Sequence, residues 1–394
     1  MSRLTADVIV VGAGIVGAAC ARSLAATGAR VVVVDRGPAA GGTSSAGEGN
    51  LLVSDKGPGP ELDLALHAAQ AWERTAAELD DELGPAFPSV EYEPKGGLVV
   101  TSSAAGGAAL LTFAETQRAA GVRTVPVDGD GAREYEPQLS PEITTGVFYS
   151  QDAQVQPVNA TEALLASARR RGATVLTHRA VTGALTSKGS IVGVLTTQDR
   201  ISAPVVLNCA GPWAGAVAAS LGVQLPVRPR RGMVLVTTRM PHLIFHKVYD
   251  GDYVAATQSA DTSLQTSSVV ECTAGGTVLI GSSREQIGFD DRLRIAVLAE
   301  LAAKALRLFP FLADASVMRA YGGYRPYMPD HLPVIGADPR LPGLFHATGH
   351  EGAGIGLSVS TADLITALVT GTTPPLDPAP FALTRTSLHT EQVA

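Results

Sequence analysis

An arginine among aromatic rings and prolines is the residue of this sequence best suited to holding an anion. Arg325 lies in the stretch YGGYRPYMPD, residues 321–330, of a chain in which only 17% of residues are charged. A guanidinium meets a carboxylate with two parallel hydrogen bonds, which fix both its position and its plane. The alternative is a structural ion pair, for instance with Asp330 or Glu351. The setting makes Arg325 a candidate for a buried anion site.

A second chemical signal is a glycine-rich turn between two apolar strands near the N-terminus. Residues 7–11 are apolar apart from Asp7, as in a strand buried on both faces, and a G-x-G-x-x-G turn begins at Gly12. Such a turn lets the backbone approach a pyrophosphate at a helix N-terminus. A second apolar strand, Val31–Val34, ends at Asp35, which is 23 residues after Gly12 (35 − 12) and suits the ribose diol. The pattern predicts a dinucleotide site.

Two distant segments favour FAD over NAD. Residues 205–215, VVLNCAGPWAG, form an apolar strand and a turn of small residues, and residues 344–371 contain a strand, a glycine-rich turn and an apolar helix. An NAD-binding half is contiguous, whereas an extended FAD uses returning elements of this kind. The helix N-terminus can donate to the flavin C2 carbonyl, where negative charge grows on reduction. The alternative for 349–356 is a plain helix cap.

The loop after the second strand completes the predicted cofactor site. Its sequence, GGTSSAGEGNLLVSDKG, is rich in small and hydroxyl residues. Ser44 and Ser45 are expected to bond pyrophosphate or ribityl oxygens, and residues 46–50 to pass beside the flavin. The loop lacks the G-K-[ST] of a phosphate-binding P-loop.

Composition excludes several other classes. The net charge of −7 and the isoelectric point near 5.6 argue against nucleic acid as a partner. Three well-separated cysteines provide neither a metal site nor a disulfide framework, so we expect no metal and a reducing, cytoplasmic setting without a membrane. The length of 394 residues predicts two domains. A homo-oligomer is one option for the assembly.

Five segments together resemble the D-amino acid oxidase, glycine oxidase and sarcosine oxidase (DAO) family of flavoenzymes. They are the first glycine turn with Asp35, TSSAGEGN, NCAGPWA, GGYRPYMPDHLPVIG and HATGHEGAGIG. The stretches VLIGSSRE and SAGEGNLLVSDKGPGPEL are most similar to the branch that holds glycine oxidases and the flavin subunits of opine oxidase, hydrogen-cyanide synthase and D-hydroxyproline dehydrogenase.

The resemblance implies an α/β fold in which a Rossmann-like FAD-binding domain is interleaved with an α+β substrate domain on a mixed, largely antiparallel sheet. Helices at roughly 60–83 and 158–171 would belong to the FAD half. The expected FAD-binding parts are 1–84, 151–222 and 322–380. The expected substrate-domain parts are 85–150 and 223–321, and a C-terminal tail spans 381–394.

The resemblance also assigns roles to individual residues. Arg325, before a proline, matches the residue that binds the substrate carboxylate; Tyr249 and Tyr253 are candidates to line the pocket, or are ordinary strand aromatics. His350 would tune the flavin or contact substrate, or is simply packed. The candidate cofactor-binding residues are Gly12, Ala13, Gly14, Ile15, Val16, Gly17, Asp35, Arg36, Thr43, Ser44, Ser45, Gly47, Gly49, Asn50, Val181, Ala210, Gly211, Trp213, Gly323, Arg325, His350, Glu351, Gly352, Ala353, Gly354 and Ile355.

The implied reaction is oxidation of glycine or an N-substituted glycine. Hydride passes from the amine to flavin N5, the imine hydrolyses to glyoxylate or another 2-oxo acid, and O2 becomes hydrogen peroxide. Cys20 and Cys209 are not placed for covalent attachment, so FAD is expected to bind non-covalently. Glu48 departs from the family pattern by placing an acid in the pocket, which favours a cationic or N-substituted amine.

Three other functions compete with this one. The first is the catalytic subunit of a D-hydroxyproline or opine dehydrogenase, which would pass electrons to partner flavin and iron–sulfur subunits. A non-catalytic dinucleotide sensor is weaker, because it does not need a guanidinium that binds a carboxylate beside the cofactor. A nicotinamide dehydrogenase is weaker because an NAD-binding half would not use the returning elements at 205–215 and 344–371.

Overall fold

The computed structural model describes residues 2–251 and 261–390. The strands are Ser2–Thr5 (β1), Val8–Val11 (β2), Val31–Val34 (β3), Asn50–Leu51 (β4), Gly97–Thr101 (β5), Thr124–Asp128 (β6), Thr145–Tyr149 (β7), Ala153–Gln154 (β8), Thr174–Leu176 (β9), Val181–Ser187 (β10), Ser190–Thr196 (β11), Asp199–Ser202 (β12), Val205–Asn208 (β13), Arg228–Thr237 (β14), Lys247–Asp250 (β15), Gln265–Cys272 (β16), Val278–Arg284 (β17), Val317–Tyr327 (β18), Val334–Ala337 (β19) and Leu344–Thr348 (β20).

The helices follow the same order along the chain. They are Ile15–Ala26 (α1), Pro60–Leu83 (α2), Ala104–Ala119 (α3), Gly129–Tyr135 (α4), Pro157–Arg170 (α5), Ala214–Ser220 (α6), Ile295–Leu308 (α7), Gly354–Thr370 (α8) and Ser387–Thr390 (α9). Short 3₁₀ turns lie at Thr43–Ala46, Gly211–Trp213, Pro310–Asp314, Glu351–Ala353 and Ala379–Phe381.

The first large sheet has six strands in the order β19-β20-β13-β2-β3-β9. All of its neighbours pair in parallel except β19 and β20. Every residue of β2 and of β3 is buried, as expected for a parallel sheet covered on both sides. This parallel sheet confirms the predicted Rossmann-like part of the fold.

The two faces of this sheet belong to different hydrophobic cores. Val8 and Val10 join a core with residues of α1, α2, α5 and α8, whereas Ile9 and Val11 join one with residues of β11, β12 and α6. The alternation follows from the two-residue period of a strand. The result is a three-layer arrangement of helices, the parallel sheet, and a smaller sheet ordered β1-β12-β11-β10.

The second large sheet has eight strands in the order β18-β14-β17-β16-β15-β5-β7-β6. Its pairs are antiparallel except for β15 with β5. The apolar face of α7 packs on it through residues such as Val297 and Leu301, which share a core with Met233 and Val270. The mixed, largely antiparallel second sheet confirms the predicted fold class.

Each large sheet takes strands from separate parts of the chain, so the two are interleaved. The six-stranded sheet uses segments within 8–34, 174–208 and 334–348. The boundary expected between 321 and 322 falls inside β18, because β18 pairs with β14 as far as Tyr327 opposite Arg228. We therefore propose that the third FAD-binding part begins after β18.

One helix of the described residues is long and apolar enough to cross a membrane by length and composition alone. It spans Glu351–Thr370, with a mean hydropathy of 1.5, and 61% of that window is buried inside the protein. Burial of this extent is typical of a core helix, and α8 indeed packs against α1 and α2.

A polar network lies in the core between the two halves, and it contains Tyr249. The Asp152 carboxylate accepts hydrogen bonds from the backbone N–H groups of Val53 (2.8 Å) and Ser54 (3.3 Å) and from the Ser54 hydroxyl. The Tyr249 hydroxyl donates to the same Ser54 oxygen, and the ring is fully buried. Tyr249 is therefore part of the core.

We expect this network to make stability depend on pH. Burial raises the pKa of the Asp152 carboxyl from 3.8 to about 6. Folding thus favours the protonated form, so its stabilising contribution is complete below about pH 4 and is lost as the pH rises through about 6. Relative to Asp152→Asn, the wild-type free energy of unfolding should fall by about 2 kcal/mol from pH 4 to pH 7.

Urea unfolding at several pH values checks this expectation. The asparagine can keep the geometry, since its oxygen accepts from the two backbone N–H groups while its amide donates to the Ser54 hydroxyl. Parallel pH profiles for the two proteins would show that the Asp152 carboxyl does not change its ionisation in this range.

Candidate active site

A cavity of about 430 Å³ lies where the carboxyl ends of β2, β3, β13 and β20 meet the eight-stranded sheet. Its volume is in the range of small-molecule and cofactor pockets, and its place matches the ligand crevice of open parallel sheets. Asp35, Arg36, Arg325 and His350 all line it.

The first glycine turn forms a cradle that tolerates no side chain at two positions. Gly12 has φ +116°, and a Cβ there would lie 2.5 Å from the backbone oxygen of Cys209. A Cβ on Gly17 would lie 2.0 Å from the backbone oxygen of Gly12. The backbones of β2, α1 and β13 can therefore approach one another closely. This leaves the backbone N–H groups at the start of α1 open to a ligand.

Hydrogen bonds fix the loops around this cradle. The Asp35 carboxylate accepts from the backbone N–H groups of Ala13 and Gly37, each at 2.7 Å. The Ser44 hydroxyl accepts from the N–H of Ile15 at 2.9 Å, so the second predicted loop closes over the N-terminus of α1. Both side chains still have hydrogen-bonding capacity for a ligand.

Aromatic residues pack beside Arg36 in the cavity wall. The Arg36 guanidinium lies 4.1 Å from the centre of the Trp213 ring, and Trp213 stacks on Phe289 with centroids 5.4 Å apart. A cation over an aromatic face is attractive and keeps both planes fixed. Arg36 and Trp213 line the cavity together.

The turn before α8 forms another part of the cavity wall. Gly349 has φ +85°, and a Cβ there would meet the Met328 side chain at 2.4 Å. The His350 ring is buried and bonds the Thr361 hydroxyl at 2.9 Å. Burial lowers the pKa of His350 to about 4, so the imidazole is neutral at pH 7.

Arg325 lies on β18 and lines the same cavity. Its Nη1 donates to the backbone oxygen of Ser283 at 2.8 Å. A Cβ on the facing Gly232 would lie 2.2 Å from that Nη1, so the glycine makes room for the guanidinium. The Arg325 guanidinium is thereby held at the cavity wall.

The two carboxylates weighed as ion-pair partners of this guanidinium are held by other residues. Asp330 is bonded by Arg385 at 2.6 Å. Glu351 contacts Arg230 at 3.2 Å and His331 at 2.8 Å. The two carboxylates named as alternatives for Arg325 are thus bound by other residues.

Most of the predicted site residues line this cavity. They are Gly12, Gly14, Ile15, Val16, Asp35, Arg36, Thr43, Ser44, Gly47, Asn50, Val181, Ala210, Gly211, Trp213, Gly323, Arg325, His350, Glu351, Gly352, Gly354 and Ile355.

Other predicted residues are not in the lining. They are Ala13, Gly17, Ser45, Gly49 and Ala353. Gly17 and Gly49 instead allow close backbone packing, since a Cβ on Gly49 would lie 1.9 Å from the Val155 oxygen, and the Ser45 hydroxyl donates to the Gly42 oxygen. Of the two alternatives for Tyr249, a pocket residue or an ordinary strand aromatic, its bond to Ser54 in the core favours the second. Tyr253 lies outside the described residues.

Sequence reasoning missed several lining residues. Gly232 gave a usable signal, because a glycine inside a strand marks a close approach. Arg179 gave no such signal in the sequence. Its ion pair with Asp199, which joins β12 to the loop after β9, forms only in the folded chain. Cys209 also lines the cavity, and burial raises the pKa of its thiol, which keeps it protonated and unreactive.

The residues fit an extended flavin dinucleotide. The cradle that a Cβ would fill, the Asp35 carboxylate and the hydroxyl loop suit the nucleotide half. The glycine turn before α8, which lines the same cavity as Arg325, would suit the ring.

Comparison with known proteins agrees with a flavin-binding site. The sequence profile of the FAD dependent oxidoreductases (DAO) matches residues 7–368. Glycine oxidase of Pseudomonas putida is 29% identical over 390 residues, which cover 96% of this chain and 98% of that protein. The hydrogen cyanide synthase subunit HcnC of Pseudomonas aeruginosa is 32% identical over 261 residues, or 66% of this chain and 59% of that protein.

Among solved structures, glycine oxidase from Geobacillus kaustophilus is similar with a TM-score of 0.87 and 26% identity, over 97% of this chain and 99% of that one. The profile match covers nearly the whole chain, and the structural match has the same extent. This chain belongs to the DAO family of FAD-dependent oxidoreductases.

Proposed function

We propose that the protein oxidises the C–N bond of glycine or an N-substituted glycine. The observation that carries this proposal is the position of Arg325, which lines the same cavity as the dinucleotide cradle. Near-full-length similarity to proteins named glycine oxidase supports the same reaction. Hydride abstraction from a carbon next to a carboxylate needs that carboxylate to be fixed.

The residues of this chain would bind and orient. Arg325 would hold the substrate carboxylate, with the Ser283 oxygen keeping the guanidinium in place. His350 is neutral and bonded to Thr361, so it would shape the pocket without transferring a proton. The family cofactor, FAD, supplies the two-electron acceptor for the C–N bond.

We infer that FAD is held without a covalent bond. Cys20 is buried in α1, and Cys209 is buried with a raised thiol pKa. The cradle at Gly12, the Asp35 carboxylate and the Ser44 hydroxyl would hold the nucleotide half. We also propose a cytoplasmic location, supported by three free, buried cysteines.

The similarity to HcnC favours a second candidate function. That relative is by name a subunit of a larger enzyme, and the aligned part covers 59% of it. A dehydrogenase that passes electrons to partner flavin and iron–sulfur subunits, rather than to O2, would use the same substrate site.

Product analysis tests the proposal. The yellow protein would be incubated in air with glycine, sarcosine, N-carboxymethyl amino acids, D-amino acids and D-hydroxyproline. We expect at least one amine to give equal amounts of 2-oxo acid and hydrogen peroxide. Formation of the 2-oxo acid only with an added electron acceptor would instead support the dehydrogenase, and no product from any amine would overturn both.

A further inference from the structure

The loop between β17 and α7 brings a phenylalanine of one half of the protein against the other half. Phe289 lies in this loop, residues 285–294, and its ring stacks on Trp213 with centroids 5.4 Å apart and planes 8° from parallel. Trp213 ends the 3₁₀ turn after β13, a strand of the six-stranded sheet, and it lines the cavity. The stack therefore joins the two halves at the cavity wall.

Other contacts hold this loop to the half that contains the eight-stranded sheet. Its end residues Glu285 and Arg294 form an ion pair, and the backbone of Glu285 exchanges hydrogen bonds of 2.7 and 3.0 Å with that of Arg231 in β14. The Arg231 guanidinium also donates to the Asp291 backbone oxygen at 2.9 Å, close to Phe289 in the chain. The loop therefore presents Phe289 from a fixed base.

Tyr324 connects the same loop to the cavity wall by a second contact. Its hydroxyl donates to the Phe289 backbone oxygen at 3.1 Å, and its ring meets the Phe289 ring edge-on with centroids 5.2 Å apart. Its own backbone oxygen accepts from the Thr43 hydroxyl at 2.6 Å, and both Tyr324 and Thr43 line the cavity. Phe289 thus packs behind two aromatic residues of the lining.

Trp213 contacts two more residues of the cavity wall. The Arg36 guanidinium lies 4.1 Å from its ring centre, and a Cβ on Gly42 would lie 3.2 Å from its ring edge. Arg36 and Gly42 line the cavity as Trp213 does. Phe289 is 48% exposed, so its removal would let water reach the Trp213 ring. A movement of Trp213 out of the wall has to break the stack with Phe289.

We propose that residues 285–294 form a strap beside the cofactor cavity, in which Phe289 is a positioning residue that keeps Trp213 in the wall and so slows the entry and release of FAD. A ligand of this size exchanges when part of the surrounding wall moves, and a contact that is lost during the movement slows both directions. The inference goes beyond the proposed function, because it concerns exchange of the cofactor and is the same for any substrate.

The rate of FAD release from the holoenzyme tests the proposal without turnover. Holoenzyme would be mixed with an excess of deaza-FAD, which prevents rebinding and absorbs at shorter wavelengths, and released FAD would be measured after rapid filtration at successive times. We expect Phe289→Ala to release FAD about threefold to tenfold faster than the wild type, as the loss of one stacked ring pair predicts. Phe289→Tyr keeps the ring and should stay within about twofold of the wild-type rate.

The rate of FAD binding to the flavin-free full chain distinguishes a strap from a damaged site. Phe289→Ala should also bind FAD about threefold to tenfold faster, so that its affinity stays within about twofold of the wild type. A damaged site would release FAD faster without binding it faster. Should Phe289→Ala fail to fold, Phe289→Leu keeps most of the apolar volume without the stack and should show the same two changes.

Phe245→Ala is the matched control. Phe245 is 42% exposed, and its ring packs against His242 outside the cavity lining. This variant should release and bind FAD at the wild-type rates. Release from Phe289→Ala no faster than from this control, equal acceleration in Phe289→Tyr, or faster release with unchanged or slower binding would overturn the proposal.

Discussion

Replacing Arg325 with alanine is expected to lower kcat/KM for the best amine substrate by about a hundredfold to a thousandfold, while FAD stays bound. Truncating one partner of a desolvated charge pair costs about 3–4 kcal/mol, and each 1.4 kcal/mol is tenfold. Arg325→Lys should be intermediate, because an ammonium keeps the charge but loses the two-pronged geometry. Steady-state kinetics of the purified variants measure kcat/KM, and their flavin absorbance measures the bound FAD.

Arg319→Ala is the matched control, since Arg319 is on the same strand but exposed. Its kinetics should equal those of the wild type. If the Arg325→Ala protein were colourless, or if its kcat/KM changed no more than that of the control, the arginine would have a structural role and the substrate site would lie elsewhere.

Gly12→Ala is expected to give a protein that is purified without flavin and is less stable. The added Cβ would lie 2.5 Å from the Cys209 oxygen, at a φ of +116° that side chains rarely adopt. Backbone strain of this kind costs about 1–3 kcal/mol before the steric clash is added. To avoid it, β2 and β13 must separate, which spoils the cradle for the pyrophosphate. The ratio of flavin to protein absorbance and a thermal unfolding curve measure the two effects.

Gly183→Ala serves as the control for a glycine-to-alanine change. Gly183 lies on β10, and its added Cβ would make only an ordinary contact, 3.9 Å from Leu195. This variant should remain yellow and stable. Full flavin content and an unchanged thermal unfolding curve in Gly12→Ala would contradict the claim that the cradle tolerates no side chain at this position.

The sequence predicted what local pattern and glycine chemistry determine. The apolar runs at Val8–Val11 and Val31–Val34 are the buried parallel strands β2 and β3, and Asp35 follows as expected. Gly12 and Gly349 have the positive φ values that their turns require. These features depend on neighbours in the chain, so spacing alone reveals them.

Residues whose surroundings come from distant strands were harder to interpret. Tyr249 lies in a short strand, and its register against Val99 and Val269 turns the ring toward Ser54 and away from the cavity. No local pattern distinguishes the two faces when both are buried. The partner of Asp330 is Arg385, 55 residues away, so the sequence left the ion-pair alternative for Arg325 open.

The surroundings of Glu48 show the same limit. The sequence marked this acid as a departure from the family pattern, but Lys247 and Glu271 reach it only through the pairing of β15 and β16 in the second sheet. Its Oε1, which has no hydrogen-bond donor among the described residues, packs against Gly281 of β17, a contact that the loop sequence does not reveal.

The most direct test of the central claim is the visible absorbance of the purified protein under nitrogen during addition of glycine and then N-substituted glycines. The account predicts that the oxidised flavin band bleaches with one of these amines and that Arg325→Ala needs a far higher concentration for the same effect. Recolouring on admission of air would identify an oxidase. A flavin band that none of these amines bleaches would contradict amine oxidation at this site, although the protein binds FAD.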